Sequence, residues 1–437
     1  MVPLELAPGE AGARALDADD ELRALRRQFE LPKGRGRTLT YLCGHSLGLM
    51  PRAVRRTLDL ELDRWAALGV DGHFPDARPP RTKGAAHGGW LDYHTQFAAP
   101  LAELTGAHRD EVVAMNTLTV NLHLMLATFF RPTAQRFKIL IERDAFSSDR
   151  YAVESQLRWH GLDPERALLE LGPQPGGFTL DGESFDALLA AEGERIALVL
   201  LPGVQYLSGE RLDLVRYTAA AQAYGCRVGF DLAHAIGNVP LALHDSGADF
   251  AVWCSYKYLN AGPGAVGGCF VHRRHGEGRE LPRLAGWWGH NRAQRFLMEP
   301  KFTPLRGAEG WQLSNPPILS LAPLAASLEL FHTAGLKRLR RKSLQLTRYL
   351  AWLLQAELGD RVRLLTPADP ERRGCQVAVQ FNPPPRNART FPARLRAAGL
   401  VADWRRPNVL RLAPVPLYNR FGDVFAAVRA LKRTLDS

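Results

Sequence analysis

Lysine is scarce in this sequence. Of 56 lysines and arginines among 437 residues, only eight are lysine, which leaves 48 arginines. Chemistry that depends on a lysine therefore has few candidates. Cysteine is scarcer still: Cys43, Cys226, Cys254, Cys269 and Cys375 are odd in number and never fall in CxxC spacing. That excludes a disulfide framework and a cysteine-based zinc site, and predicts reduced, buried thiols. No metal is expected. Long apolar runs are also missing. The longest, Ile196 to Leu201, is far short of the roughly 18 residues of a membrane helix. The opening MVPLELAPGE lacks both a basic start and an apolar core, so no signal peptide is expected. The chain reads as cytoplasmic, with no membrane partner.

What is present is ordinary globular composition, 46% apolar and 23% charged, with a formal net charge of +11. A basic balance is one mark of nucleic-acid binding, but that class also predicts aromatic-basic clustering or a helix-turn-helix, and neither is found. The arginines are spread over the whole length. The run Lys337-Arg338-Leu339-Arg340-Arg341-Lys342 reads as one solvated helix face.

Short apolar runs alternate with amphipathic stretches. Ile139–Ile141, Ile196–Leu201, Arg227–Phe230 and Phe250–Trp253 read as buried strands, with Asp149–His160, Phe185–Glu192 and Leu212–Tyr224 as helices between them. This rhythm predicts an α/β fold whose mostly parallel sheet is covered on both faces. Gly267–Val271 reads as a further strand returning after the Gly-rich turn 261–268. From Leu319 the pattern changes to long helices, Leu319–Phe331 and Leu336–Leu358. A smaller α+β segment follows, with strands near Cys375–Phe381 and Val409–Leu412 and a terminal helix from Phe421. The expected division is 1–59 as part of the small domain, 60–318 as the large domain, and 319–437 as the C-terminal small α+β domain.

The chemistry concentrates in Val228–Gly237 and Ala251–Asn260. Asp231 closes a predicted strand, where α/β sheets place ligand-binding groups, and Lys257 follows another strand before a Gly-rich turn. An acid beside a pyridinium nitrogen and a lysine that condenses with an aldehyde are the two groups a pyridoxal-phosphate site needs. Lys33, Lys83, Lys138, Lys301, Lys337, Lys342 and Lys432 fall in polar, loop-like or helix-surface settings. Lys257 alone lies among Trp253, Tyr256, Tyr258 and Gly262, a setting that desolvates an amine. Asp231 also reads as the N-cap of the next helix, and the two roles are compatible. His234 reads equally as a core histidine. Met115–Asn121 carries the small hydroxyl residues of a helix start able to hold phosphate. Arg411, taken alone, reads as a surface arginine at a strand end.

Through these residues the chain resembles the kynureninases, pyridoxal-phosphate enzymes of fold type I in the aspartate-aminotransferase superfamily. The resemblance runs in order through Gly44-His45-Ser46-Leu47-Gly48-Leu49, Leu118–Asn121, Phe146-Ser147-Ser148-Asp149, Gly203–Tyr206 and Asp231–His234. It continues through Ser255–Tyr258, Gly286–His290, Leu313–Pro317 and Arg411–Asn419. It implies a large domain with a seven-stranded, mostly parallel sheet between helices, and a smaller α+β domain. It also implies pyridoxal 5'-phosphate and hydrolytic Cβ–Cγ cleavage of L-kynurenine, or its 3-hydroxy derivative, to the anthranilate and L-alanine. That reaction belongs to tryptophan degradation and NAD biosynthesis.

By the same resemblance Lys257 holds the cofactor aldehyde, Asp231 pairs with the ring nitrogen, and His234 lies beside it. Phe146 lies on the ring, within a cofactor-binding segment that includes Ser147, Ser148 and Asp149. Leu118, Thr119 and Tyr256 hold the phosphate end, and Tyr256 is a candidate proton donor or relay. Trp287 and Asn315 reach in from the other subunit of a homodimer. Arg411 grips the substrate carboxylate, while Ser46, His73 and Asn315 approach the aryl end. Two positions depart from the family pattern: His45 stands where many members carry Asn, and Pro202 where many carry Ser or Thr. The competing readings are a cysteine-desulfurase-like or class V aminotransferase-like protein and, from another class, a basic nucleic-acid-binding protein.

Overall fold

The computed structural model describes residues 9–75, 89–174, 176–276 and 281–437. Lys83, one of the eight lysines, lies outside them. Seven strands form the main sheet: β1 (Val112–Ala114), β2 (Lys138–Glu142), β3 (Leu168–Leu171), β4 (Ile196–Pro202), β5 (Arg227–Asp231), β6 (Phe250–Trp253) and β7 (Gly268–Val271). Their order is β1-β7-β6-β5-β4-β2-β3. β2 and β3, β2 and β4, β4 and β5, and β5 and β6 pair in parallel, and β7 runs against both β6 and β1. The mostly parallel sheet is thus as expected, and the strand that returns after the Gly-rich turn is the one that reverses. In β4, IALVLLP, every residue but Pro202 is buried. A run without polar alternation suits a strand covered on both faces.

The main helices are α1 (Ala53–Leu68), α2 (Leu118–Phe129), α3 (Ser147–Trp159), α4 (Leu214–Ala223), α5 (Ile318–Ala334), α6 (Leu336–Leu358) and α7 (Phe421–Asp436). α1 packs along α5, and α6 along α7. Among the described residues no single helix is long and apolar enough to cross a membrane. A second sheet is antiparallel throughout: β8 (Val362–Leu364), β9 (Val377–Phe381), β10 (Asp403–Arg405) and β11 (Val409–Leu412), in the order β8-β9-β11-β10. The N-terminal segment joins this end of the molecule. Thr40-Tyr41 pairs in parallel with Leu400-Val401, and the Ala413 N–H donates to the Leu42 carbonyl at 2.9 Å.

Two lysines do not have the surface settings expected of them. Lys138 opens β2, buried, with its Nζ 2.9 Å from Glu192. Lys342 is buried in α6, 2.8 Å from Asp20. Each brings its own carboxylate, because a buried ammonium without one costs several kcal/mol. The basic run 337–342 is therefore a solvated face only in part: Lys337, Arg338 and Arg341 are exposed, while Lys342 anchors the N-terminal segment. Four of the five cysteines are buried as expected, and Cys43 is half-buried.

Candidate active site

The parallel strands end at one crevice, where open α/β sheets leave room for ligands. Glu142 is the last residue of β2, Pro202 of β4 and Asp231 of β5, and Lys257 follows β6 by four positions. Strand register sets Asp231 beside Pro202 on one side and Val252 on the other. The pocket at these ends is lined by the expected site residues Leu118, Thr119, Phe146, Ser148, Asp149, Asp231, His234, Tyr256 and Lys257, and also by Glu142, Val204 and Tyr206. Ser147, on the first turn of α3, is exposed. Ser46, His73, Trp287, Asn315 and Arg411 are not among the lining residues of the single chain. The His73 ring sits edge-on to Trp90, its centroid 5.3 Å away, and the Trp287 indole donates to the Arg295 carbonyl at 2.9 Å. Asn315 is exposed.

One end of the pocket suits a phosphate. Asn116 takes a left-handed conformation (φ 48°) and turns the chain from β1 into α2. The buried Asn121 fixes that turn, donating to the Met115 carbonyl at 2.9 Å and accepting from the Asn116 amide at 2.9 Å. The first turn of α2 then opens onto the pocket, and the Thr119 and Ser148 hydroxyls meet there at 2.8 Å. Backbone N–H groups at a helix start, with two hydroxyls, make an anion cradle.

The middle of the pocket suits an aromatic ring. The Lys257 Nζ lies 5.7 Å from the centre of the Phe146 ring and 5.9 Å from that of Tyr256. It makes no ion pair or hydrogen bond among the described residues. The Asp231 carboxylate accepts the Ala233 N–H at 2.7 Å, so it does cap the turn after β5. His234 is buried, and its Nδ1 lacks a hydrogen-bond partner among the described residues. Burial, and then the neighbouring Lys257 and Arg411 charges, hold that imidazole well below its usual range, so it is neutral. Burial also pushes up the Tyr256 phenol, which stays protonated. Burial and the facing Asp231 charge raise the Asp149 carboxyl well above the usual carboxylate range.

Glu142 belongs to the same acidic end, and nothing in its local sequence marks it. Burial pushes its carboxyl up to about 8. A group that holds its proton more tightly folded than unfolded contributes stability that is complete below about pH 4.5 and fades as pH rises through about 8. Glu142→Gln is neutral throughout. Urea unfolding at about pH 5 and about pH 9 should show the variant gaining a few kcal/mol on the parent between the two. A difference that stays constant with pH would contradict the buried acid.

Beyond Tyr206 lies Arg411, which taken alone reads as a surface arginine. It is not a surface residue but is buried within β11, 1% exposed. Its NH1 donates to the Tyr206 carbonyl at 2.6 Å and its Nε to Asp403 Oδ1 at 2.9 Å. Asp403, which carries no local sequence signal either, acts as a hub. It accepts from Arg405 Nε at 2.7 Å and from the Ser46 hydroxyl at 3.3 Å. Burial alone would raise this carboxyl, but the Arg411 and Arg405 guanidinium groups hold it far below the usual range. His45 is buried beside them with neither ring nitrogen hydrogen-bonded among the described residues, its ring centre 6.3 Å from that of His234.

Glycine explains how the Ser46 loop reaches the lysine. The Gly48 N–H donates to the Tyr256 carbonyl at 2.8 Å, and a Cβ at Gly48 would stand 2.3 Å from the Lys257 carbonyl oxygen. No side chain fits there, so the loop and the lysine segment lie backbone to backbone.

Residues 339–431 match the family described as Kynureninase C-terminal domain. A kynureninase of Xanthomonas campestris pv. campestris (strain B100) is 54% identical over 416 residues, 95% of this chain and 96% of that one. One from Xanthomonas euvesicatoria pv. vesicatoria (strain 85-10) is 53% identical over 422 residues, 97% of each. Among solved structures, the cysteine desulfurase CsdA of Escherichia coli superposes with a TM-score of 0.75 at 18% identity, over 95% of this chain and 98% of that one. The cystine C–S lyase C-DES, whose K223A variant was solved with glycine linked to its pyridoxal-phosphate cofactor, gives 0.72 at 18%, over 90% and 96%. These two likenesses establish the fold, and the full-length identity above 50% establishes the family: the chain belongs to the kynureninases.

Proposed function

We propose that the chain hydrolyses the Cβ–Cγ bond of L-kynurenine, giving anthranilate and L-alanine, with pyridoxal 5'-phosphate as cofactor. What supports this is Lys257, which has no hydrogen-bond or ion-pair partner among the described residues and lies 5.7 Å from the centre of the Phe146 ring, in a pocket that also holds Asp231 and the paired Thr119 and Ser148 hydroxyls. Bound there, the cofactor supplies an electron-accepting ring. The residues divide the remaining work. The first turn of α2, from Leu118 and Thr119, and Ser148 would hold the phosphate, and Phe146 would pack against the ring. Asp231 would hold a proton on the ring nitrogen, with Asp149 and His234 lining the same pocket. Lys257 would hold the aldehyde and would move the proton at the substrate α-carbon. Tyr256, kept as a phenol, returns a proton to the departing alanine carbon. Arg411 orients the substrate carboxylate as a bidentate partner.

Ser46, His73 and Asn315 face the aryl end, the last together with Trp287 across a two-fold interface. The surface around Trp287 supports that homodimer: Leu284, Phe296, Leu297 and Met298 are 58%, 57%, 65% and 78% exposed. Exposed apolar side chains on this segment suit a partner copy. The large domain is taken as 60–318, with 1–59 and 319–437 forming the small one, and the enzyme as cytoplasmic. A desulfurase reading fails on its nucleophile. Burial raises all five thiols, Cys226 and Cys254 to about 11, Cys375 to about 12, and Cys269 and the half-buried Cys43 as well, so none is a ready thiolate.

The test is direct. Purified protein loaded with pyridoxal phosphate should be yellow and release fluorescent anthranilate from L-kynurenine, and the 3-hydroxy substrate run in parallel sets the preference. Protein that takes up no cofactor, or takes it up and forms neither aromatic product, ends this reading.

A further inference from the structure

At the opposite end of β1 and β7 from the pocket, three imidazoles gather around one buried carboxylate. Glu111, at the entry to β1, is completely buried, and its two oxygens accept the backbone N–H groups of His108 and Arg273, each at 2.8 Å. The His244 Nδ1 lies 2.9 Å from Glu111 Oε1, and the His272 Nδ1 lies 3.9 Å from the same oxygen. The His108 ring meets the His244 ring at 4.2 Å between centres, and the His244 and His272 rings stack at 4.9 Å. Ligand atoms of His108, Glu111 and His244 all fall within 4.8 Å of one another.

We propose that this cluster is a binding site for a divalent transition-metal ion of the zinc type, held by His108, Glu111 and His244 with water completing the shell. The donor set fits: imidazole nitrogens with one carboxylate suit zinc rather than the harder magnesium or calcium ions, which prefer all-oxygen ligands. Bond lengths of about 2.0–2.2 Å put neighbouring tetrahedral ligands about 3.3 Å apart. The His244–Glu111 separation already lies near that edge, and the exposed His108 ring already stands 4.2 Å, centre to centre, from the His244 ring. Two backbone N–H groups orient the carboxylate, the kind of support metal ligands ordinarily have. The nearest cations do not oppose a metal, because Arg273 pairs with Asp110 at 3.0 Å and Arg274 with Asp249 at 2.8 Å. Glu111 and His244 stand 133 positions apart in the chain. A metal here therefore clips the entry to β1 and the turn before β6 together, and leaves the catalytic pocket alone.

The experiment uses cofactor-loaded enzyme, freed of metal with a chelator and titrated with zinc chloride by calorimetry. One zinc per chain is expected, with a rise in melting temperature that magnesium chloride does not produce. His108→Ala and His244→Ala should each weaken binding at least tenfold and remove the rise, with turnover of kynurenine unchanged. Since His108 is a surface residue, its variant tests the site without risk to folding. Cys43→Ser should bind zinc as the parent does, which separates this site from the Cys43, His45 and Asp403 cluster near Arg411. Absence of saturable zinc binding, or binding that survives both histidine substitutions, overturns the proposal.

Discussion

Lys257→Ala should fold like the parent, melt within a degree or two of it, and lose at least ~10⁴-fold in kcat/KM for kynurenine. The two halves of this expectation have separate grounds. Stability is spared because the Lys257 Nζ makes no hydrogen bond or ion pair among the described residues, only ring contacts at 5.7 and 5.9 Å. Activity is lost because Lys257 is the only lysine lining the pocket among the described residues. Lys138 and Lys342 are tied to Glu192 and Asp20, and Lys432 to Glu357. None of these three can reach the pocket in its place. Circular dichroism, melting and product fluorescence on the one preparation check both halves. Turnover within tenfold of the parent would remove Lys257 from the reaction.

Arg411→Met should raise KM far more than it lowers kcat, with an overall loss of about 10²–10³-fold, corresponding to about 3–4 kcal/mol for a buried charged hydrogen bond. A buried guanidinium already held on one side by Asp403 and the Tyr206 carbonyl has its remaining N–H groups fixed toward a single direction. Lysine restores the charge but not the fork, so Arg411→Lys should still lose about tenfold or more. Asp403→Asn leaves the guanidinium in place and slackens it, and its loss should again fall mainly on KM. Steady-state kinetics on the three variants separate binding from turnover. Equal losses in Arg411→Lys and Arg411→Met would mean that the charge without the fork contributes nothing. An unchanged KM in both would place the carboxylate elsewhere.

Much of the fold is legible because parallel strands covered on both faces must be contiguous apolar runs, and β4 is one. Lys257 is legible because so few lysines compete with it. Asp403 and Glu142 are not, for a common reason. Asp403 gains its meaning from Ser46, 357 positions away, and from Arg411, which sits across a strand pairing. Glu142 ends β2, looking like any charged residue that stops a strand, and only the neighbouring ends of β4 and β5 make it a buried acid. The same blindness hides burial in Lys138 and Lys342. Their carboxylates lie 54 positions off in one case and in the N-terminal segment in the other, and local composition records neither.

The parallel pairing of Thr40-Tyr41 with Leu400-Val401, and the hydrogen bond from Ala413 to Leu42, also bear on synthesis. Translation delivers the Ser46 loop near the start of the chain and its supporting strands near the end. The main sheet is complete in sequence once β7 has emerged, since none of its seven strands lies beyond Val271. The Ser46 loop must wait, because pairing so far apart in the chain is slow and closes only when both partners exist. A ribosome stalled before Leu400 would present a finished seven-stranded sheet, with Lys257 in position and no strand for the residues ahead of Ser46 to join.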